Sequence, residues 1–97
     1  MQHFVLRAKL LKLQSIFRFN RISQQHCKLG LDIIEDLISD FQKEKVGLLL
    51  HYKGIEVLET LDQMIRIFRK SSLNITQTQS VRKEKILDAI KELLSSL

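Results

Sequence analysis

Residues 31–42 read LDIIEDLISDFQ, and this stretch decides the fold class that the sequence predicts. Its apolar side chains recur every three or four positions: Ile33, Ile34, Leu37, Ile38 and Phe41. This spacing places them on one face of an α-helix, and the carboxylates between them fall on the opposite face. We therefore predict a helix from about Leu31 to Gln42 with one face in a protein core.

Three other stretches have the same helical spacing. They run from about His3 to Arg21, from Ile55 to about Lys70, and from about Val81 to Leu97. The third ends on a stripe that includes Ile90, Leu93 and Leu97. Each is long enough for an ordinary globular helix, so the sequence predicts four good helices.

The first of these helices has an unusually wide apolar sector. Its main stripe repeats at helical spacing: Leu6, Leu10, Leu13 and Phe17. Phe4, Leu11 and Phe19 lie off that stripe. A sector of this width is expected of a helix that touches two neighbours rather than one.

Polar residues and glycines suggest where the helices are separated. We expect a connection with partial helix from Asn20 to Gly30, a turn at Lys53-Gly54, and a loop from Ser71 to Ser80, with Ser80 as the N-cap of the last helix. The apolar piece from Glu44 to Tyr52 is predicted as a short helix, because an isolated strand would have no partner.

Composition supports an all-α fold in a single domain over residues 1–97. The chain has no proline and only three glycines, the two residues that disfavour helix interiors. Its longest apolar run, residues 46–50, is far shorter than the roughly 20 residues of a transmembrane helix. We expect a compact antiparallel bundle of four to five helices without a transmembrane segment.

Charge is distributed in three blocks along the chain, whose net charge is +5. Residues 1–31 contain six Lys and Arg and no acid. Residues 32–65 contain eight acids and three lysines, and residues 66–97 contain seven Lys and Arg against three acids. The basic first block can meet acidic helices of the same chain or an acidic partner.

The first helix has two other interpretations. It can bind nucleic acid or anionic lipid through its cations: Arg7, Lys9, Lys12, Arg18 and Arg21. An acid-free, Arg-bearing amphipathic segment is also typical of mitochondrial targeting sequences. The lone Cys27 excludes an internal disulfide and fits an intracellular protein of the cytoplasm or nucleus.

The sequence offers little that is typical of an enzyme. Among the histidines and the cysteine, His26 and Cys27 are the only adjacent pair, and nothing in the sequence connects His51 with the thiol as a general base. Adjacent carboxylates such as Glu35 and Asp36 are typical of a solvated helix face. We therefore expect no enzyme activity, no metal, no cofactor and no small-molecule substrate.

The stretch from Gly30 to Phe68 resembles one unit of the armadillo/HEAT-like helical repeat families. The residues that carry the resemblance are Gly30 to Leu37, Glu44 to Leu50 and, after a glycine turn, Ile55 to Leu61. The resemblance implies a short stack of helices that binds peptides or partner helices and has no chemistry of its own.

These observations together predict a protein–protein interaction module, an adaptor or assembly subunit, which binds another protein or a second copy through exposed apolar helix faces. The predicted partner-binding residues come from the first and last helices: Leu6, Leu10, Leu13, Phe17, Ile90, Leu93 and Leu97. The alternative is a nucleic-acid-binding helical domain that uses the basic first helix.

Overall fold

The computed structural model of the chain describes residues 3–19, 22–43, 48–71 and 77–97. These residues form four α-helices: α1 Phe4–Phe17, α2 Gln24–Lys43, α3 Leu48–Ser71 and α4 Gln77–Ser96. No strand occurs within the described ranges. The all-α class predicted from the helical spacing is therefore confirmed.

The helices form a bundle in which each helix packs against two others. α1 packs against α2 and α4, and α3 packs against the same two helices from the opposite corner. The bundle measures 41 × 20 × 19 Å, so its long dimension is close to the length of α3, roughly 36 Å at 1.5 Å per residue. A four-helix bundle agrees with the lower helix count of the prediction.

Contacts at the ends of the helices show that α1 and α2 are antiparallel neighbours, as are α2 and α3. Lys9 near the start of α1 is paired with Asp40 near the end of α2. Gln24 at the start of α2 exchanges two hydrogen bonds with Arg69 near the end of α3, at 2.8 and 2.9 Å. The predicted antiparallel arrangement therefore holds for both pairs.

The same arrangement joins the first helix to the last. Arg7 near the start of α1 donates a hydrogen bond to the carbonyl of Leu94 near the end of α4, at 3.2 Å. Lys83 in the first half of α4 donates to the carbonyl of Phe19, just beyond the end of α1. The bundle is therefore closed between α1 and α4, with hydrogen bonds towards both ends of α1.

The four helices share one hydrophobic core. Its largest fully buried side chains come from every helix: Phe17, Phe41, Leu6, Leu10, Leu13, Ile34, Leu37, Leu58, Leu61, Ile65, Ile86 and Ile90. Near the C-terminal ends of α1 and α3 the rings of Phe17 and Phe68 meet edge to face, with centroids 6.3 Å apart. Such aromatic pairs add about 0.5–1.5 kcal/mol beyond the area they bury.

The start of α2 corrects the predicted connection from Asn20 to Gly30. α2 begins at Gln24, because Ser23 and His26 form a reciprocal cap. The Ser23 hydroxyl accepts from the backbone N–H of His26 at 3.1 Å, and His26 Nδ1 accepts from the backbone N–H of Ser23 at 3.0 Å. This is a capping box with His in the place usually taken by Glu or Gln.

The predicted turn at Lys53-Gly54 is wrong, because α3 runs through both residues without interruption. A Cβ atom at Gly54 would lie only 2.5 Å from Cε1 of Phe41, whose side chain is fully buried. Gly54 thus provides space for the Phe41 ring against the backbone of α3. The glycine serves helix packing and not chain reversal.

Gly30 also provides space for a phenylalanine ring of a neighbouring helix, but its contact is longer than that of Gly54. It lies inside α2, and a Cβ atom there would lie 3.0 Å from Cε2 of Phe17. Both glycines that the sequence indicated as boundaries are therefore positions of close helix approach.

The last helix also begins earlier than predicted. α4 starts at Gln77, so Ser80 lies within the helix and is not its N-cap. Residues 72–76 of the predicted loop and residues 44–47 of the predicted short helix lie outside the described residues. The rest of that short helix, residues 48–52, is the first part of α3. The armadillo/HEAT-like resemblance stays a prediction, without the glycine turn that was part of it.

We expect Gly54→Ala to destabilise the protein by on the order of 1 kcal/mol. Alanine improves helix propensity by about 1 kcal/mol, but the added methyl group overpacks the Phe41 ring at a cost of about 1–3 kcal/mol. Urea unfolding followed by circular dichroism measures the difference. Gly30→Ala is the matched control and should cost less, since its contact is longer. A Gly54→Ala variant more stable than wild type would contradict this account of the glycine.

The buried Cys27 thiol should make stability fall at alkaline pH. Burial raises the pKa of the thiol, and the positive charge of Arg69 opposes this only in part. The folded protein then holds a proton that the unfolded chain releases, so the contribution is complete below the unfolded pKa and lost as pH rises through the folded pKa. Urea unfolding between about pH 7 and about pH 10 should show a steeper loss for wild type than for Cys27→Ala. Parallel pH dependences of the two proteins would refute this.

Candidate functional site

The predicted partner-binding stripe of α1 lies inside the bundle. Leu6, Leu10, Leu13 and Phe17 are all 0% exposed. The prediction of an exposed stripe is therefore wrong for these residues. The physical reason is that α1 occupies a corner between α2 and α4, and both neighbours cover the side on which the stripe lies.

The predicted stripe of α4 is also part of the core. Ile90 is 0% exposed and Leu93 is 2% exposed, so neither is available at the surface of the folded chain. Leu97 is half-buried and packs against the same core. Here too the spacing identified a core-facing side, and the prediction of exposure is wrong.

The exposed apolar surface of α1 lies on the opposite side of the helix. Phe4 is 69% exposed, Leu11 is 50% exposed and Val5 is 48% exposed, and Ala8 between them is also exposed. Phe4, Ala8 and Leu11 follow one another at spacings of four and three, which places them on one stripe. We call Phe4, Val5, Ala8 and Leu11 the α1 outer face.

A further exposed aromatic residue lies beyond the C-terminal end of the α1 outer face. Phe19 is 54% exposed, and its ring stacks on the ring of His26 with centroids 5.3 Å apart. Since its carbonyl accepts the hydrogen bond from Lys83, the backbone here is held by α4. The ring is thus fixed by its neighbours and still accessible to solvent.

Cations border the α1 outer face, but they do not form one stripe. Arg7, Lys12 and Arg18 are exposed. At about 100° per residue, Arg7 and Arg18 lie on one side of the apolar stripe, and Lys12 lies on the other. Arg21, the last of the predicted nucleic-acid-binding residues, lies outside the described residues.

Lys9 has a different role from the one predicted. It points towards α2 and is paired with Asp40. The hydrogen bond that Lys9 donates to Asp40 is the main cause of the raised pKa of Lys9, and the negative charges of Asp40 and Asp36 raise it further. The basic first helix thus meets an acidic helix of the same chain, which was one of the interpretations of its charge.

A groove of about 630 Å³ lies between α2 and α3 on the outside of the bundle. Its floor includes Leu31 and Ile38, both half-buried. The charged residues of its walls are Lys28, Asp32, Glu35, Glu59, Asp62, Arg66 and Arg69. The groove therefore combines an apolar floor with walls that carry four carboxylates and three cations.

The side chains considered for catalysis or metal binding are dispersed. Cys27 is buried, and His26 forms the cap of α2. His51 Nδ1 lies 3.1 Å from the carbonyl oxygen of Phe41 at the other end of α2. Within the part of the chain that the structure describes, no group of three or more His, Cys, Asp or Glu is arranged to hold a metal ion.

Among the described helices, none has the length and apolar character that would be needed to cross a membrane. Comparison of the chain with known protein families, curated proteins and solved structures finds no match. The geometry of the bundle is therefore the basis for the function proposed below.

Substitutions on the two sides of α1 should separate its core side from its outer face. We expect Phe4→Gln and Leu11→Gln to change the free energy of unfolding by no more than about 0.5 kcal/mol, since both side chains are largely exposed. Leu10→Ala should cost about 2–5 kcal/mol, because it opens a cavity in the core. Urea unfolding of the three variants provides the test. A large loss for Leu11→Gln would show that the outer face is covered in the folded monomer.

Proposed function

We propose that the protein is a protein–protein interaction module and that the α1 outer face is its main contact surface. The observation that carries the proposal is that α1 buries one apolar stripe completely and exposes a second on its opposite side. A helix that is apolar on both sides is typical of a helix that is covered on both sides. The bundle covers only one of them.

Burial of the exposed side chains against a partner would contribute favourable free energy to binding. Covering the remaining exposed area of Phe4 and Leu11 would contribute on the order of 2–3 kcal/mol. Aromatic residues of this kind are enriched among the side chains that dominate binding energies. The face is convex, so it suits a groove or a flat apolar surface on the partner.

The charge around this face selects the partner. Residues 1–31 contain no acid, and the exposed Arg7, Lys12 and Arg18 border the apolar stripe on both sides. A partner surface with an apolar centre and carboxylates at its edges is complementary to this pattern. The role is one of binding, and it requires no chemistry from the chain.

Nucleic-acid binding remains the rival function, and the structure supplies less support for it. Lys9 is engaged by Asp40 and points towards α2. The exposed cations lie on two sides of an apolar stripe, which has no function in contacts with phosphate. Protein binding uses both the apolar residues and the cations.

The test is binding of a fluorescent amphipathic helical peptide with a Leu stripe bordered by Glu residues. We expect the wild-type chain to bind it, and Phe4→Gln and Leu11→Gln to weaken binding by about tenfold each, which corresponds to about 1.4 kcal/mol. Fluorescence anisotropy gives the affinities. Val81→Gln is the matched control, since Val81 is 51% exposed on α4, away from the proposed surface.

Two results would contradict the proposal. One is absence of peptide binding. The other is salt-dependent binding to a random DNA duplex that Leu11→Gln leaves unchanged and that Lys12→Glu abolishes. The second result would favour the nucleic-acid function, since phosphate contacts give a steep dependence on salt concentration.

A further inference from the structure

The groove between α2 and α3 has the properties that the proposed function requires of a partner surface. We propose that it receives the α1 outer face of a second copy of this chain, so that copies associate head to tail. This inference rests on the proposed function, because it names the partner of the same α1 outer face. It also assigns a binding role to the groove.

The position of each charged residue along the axis of the groove follows from the antiparallel packing of α2 and α3. Residues of the two helices at the same position along this axis are said to lie at the same level. Gln24 meets Arg69 at one end, and Phe41 meets Gly54 at the other. Between these contacts, Glu35 on α2 lies at about the level of Glu59 on α3. Both line the groove, one on each wall, beside the apolar floor.

The end of the groove near Gln24 is basic. Lys28 lies at about the level of Arg66, and Arg69 closes that end through its hydrogen bonds with Gln24. Arg66 donates to Asp62 at 2.8 Å, and this hydrogen bond is the main cause of the raised pKa of Arg66. The acidic part of the groove therefore lies from the level of Asp32 and Asp62 towards the other end.

Glu35 and Glu59, two carboxylates of the acidic part, are available to a partner, whereas Asp62 is engaged by Arg66. Glu35 and Glu59 are exposed and form no ion pair with any residue in the described ranges. Glu35 is near enough to Arg66 for its charge to raise the pKa of Arg66, although the two form no ion pair. Carboxylates beside an apolar floor attract cations that accompany an apolar stripe.

The α1 outer face has the matching arrangement. Arg7 and Lys12 are separated by about 140° around the helix at 100° per residue, and Phe4, Ala8 and Leu11 lie between them. Seating this stripe over Leu31 and Ile38 would place one cation against each acidic wall.

Arg7 keeps the capacity for such a contact. Its guanidinium donates one hydrogen bond to the Leu94 carbonyl, and an arginine has five donors. Arg18 near the other end of α1 would be repelled by the basic end of the groove, so the register places the segment of α1 from Arg7 to Lys12 in the acidic part. Charge thus selects both the partner and its orientation.

The two surfaces lie on different parts of the molecule, since α1 is at one corner of the bundle and the groove lies between α2 and α3. A contact between unlike surfaces leaves one of each unoccupied in every dimer. Such heterologous contacts produce rings or open chains rather than closed two-fold dimers.

The experiment uses two variants of the full chain in sedimentation velocity at low and high ionic strength. The face variant carries Arg7→Glu and Lys12→Glu, and the groove variant carries Glu35→Lys and Glu59→Lys. We expect the wild type to increase in mass with concentration at low salt, and each variant to lose about tenfold or more in association. Circular dichroism melting confirms that both variants fold.

An equimolar mixture of the two variants is the decisive measurement. Each variant keeps one intact surface, and the two reversed surfaces are complementary to each other, so the mixture should associate although neither variant does so alone. A chain that carries all four substitutions should regain association, because the charges are exchanged between the surfaces. Charge-matched controls are Lys53→Glu with Lys85→Glu, and Asp88→Lys with Glu92→Lys, all at exposed positions outside both surfaces. These controls should associate like the wild type.

The uncharged variant Leu11→Gln keeps the test valid if a charge-reversed chain fails to fold, and it should also lose association. A wild-type chain that stays monomeric at every concentration overturns the inference, as does a mixture that stays monomeric. Self-association that the groove variant leaves unchanged also overturns it. Binding of the full chain to phosphatidylserine vesicles without self-association would overturn the inference, because a membrane and not a second copy would then cover the α1 outer face.

Failure of this inference is distinguishable from failure of the proposed function. The Glu-bordered peptide reports on the α1 outer face alone, and its binding to the groove variant needs no second copy. Peptide binding without self-association would leave the proposed function in place and remove the groove as its partner. Absence of both peptide binding and self-association would refute the proposed function and the inference about the groove together.

Discussion

The Phe41 ring packs against the backbone of α3 at Gly54, and the arrangement of the bundle depends on this contact. Any side chain at Gly54 would meet the ring, which is fully buried. The contact holds the end of α2 close to the first half of α3, and the Gln24–Arg69 hydrogen bonds hold the opposite ends together. With α2 and α3 fixed along their length, the remaining helices have defined neighbours, and the outer groove between α2 and α3 has a defined shape.

The position of α1 explains the exposed apolar surface. α1 occupies a corner of the bundle, so two neighbours cover one side of it and no described helix covers the other. Leu10 and Leu11 are adjacent in the chain, yet one is fully buried and the other is half exposed. A change of one residue rotates the side chain by about 100° around the helix, which is enough to move it from core to solvent.

The basic, acidic and basic blocks of the chain have two consequences in the folded protein. Within the bundle, antiparallel neighbours bring Lys9 to Asp40. On the surface, the same blocks leave an acid-free helix face and a groove with one acidic part on separate parts of the molecule. Exposed ion pairs contribute little to stability, so the value of this separation is in the choice of partners and their orientation.

The sequence by itself determined the all-α class and the apolar stripe of each helix. The spacing of Leu6, Leu10, Leu13 and Phe17 identified a continuous apolar stripe at helical period, but the sequence assigned this stripe to a partner, whereas the bundle buries it. The off-stripe positions of Phe4 and Leu11 were visible as well. Their exposure was not, since periodicity shows that a sector is apolar and does not show how many neighbours cover it.

Only the tertiary structure decided the functions of the glycines and the location of the groove. Gly30 and Gly54 looked like helix boundaries because glycine has a low helix propensity, and this property is independent of what lies nearby. In the bundle, Phe17 and Phe41 fill the space that a side chain at these positions would occupy. Glu35 and Glu59 line the same groove because the packing of α2 against α3 decides which residues far apart in the chain share a surface.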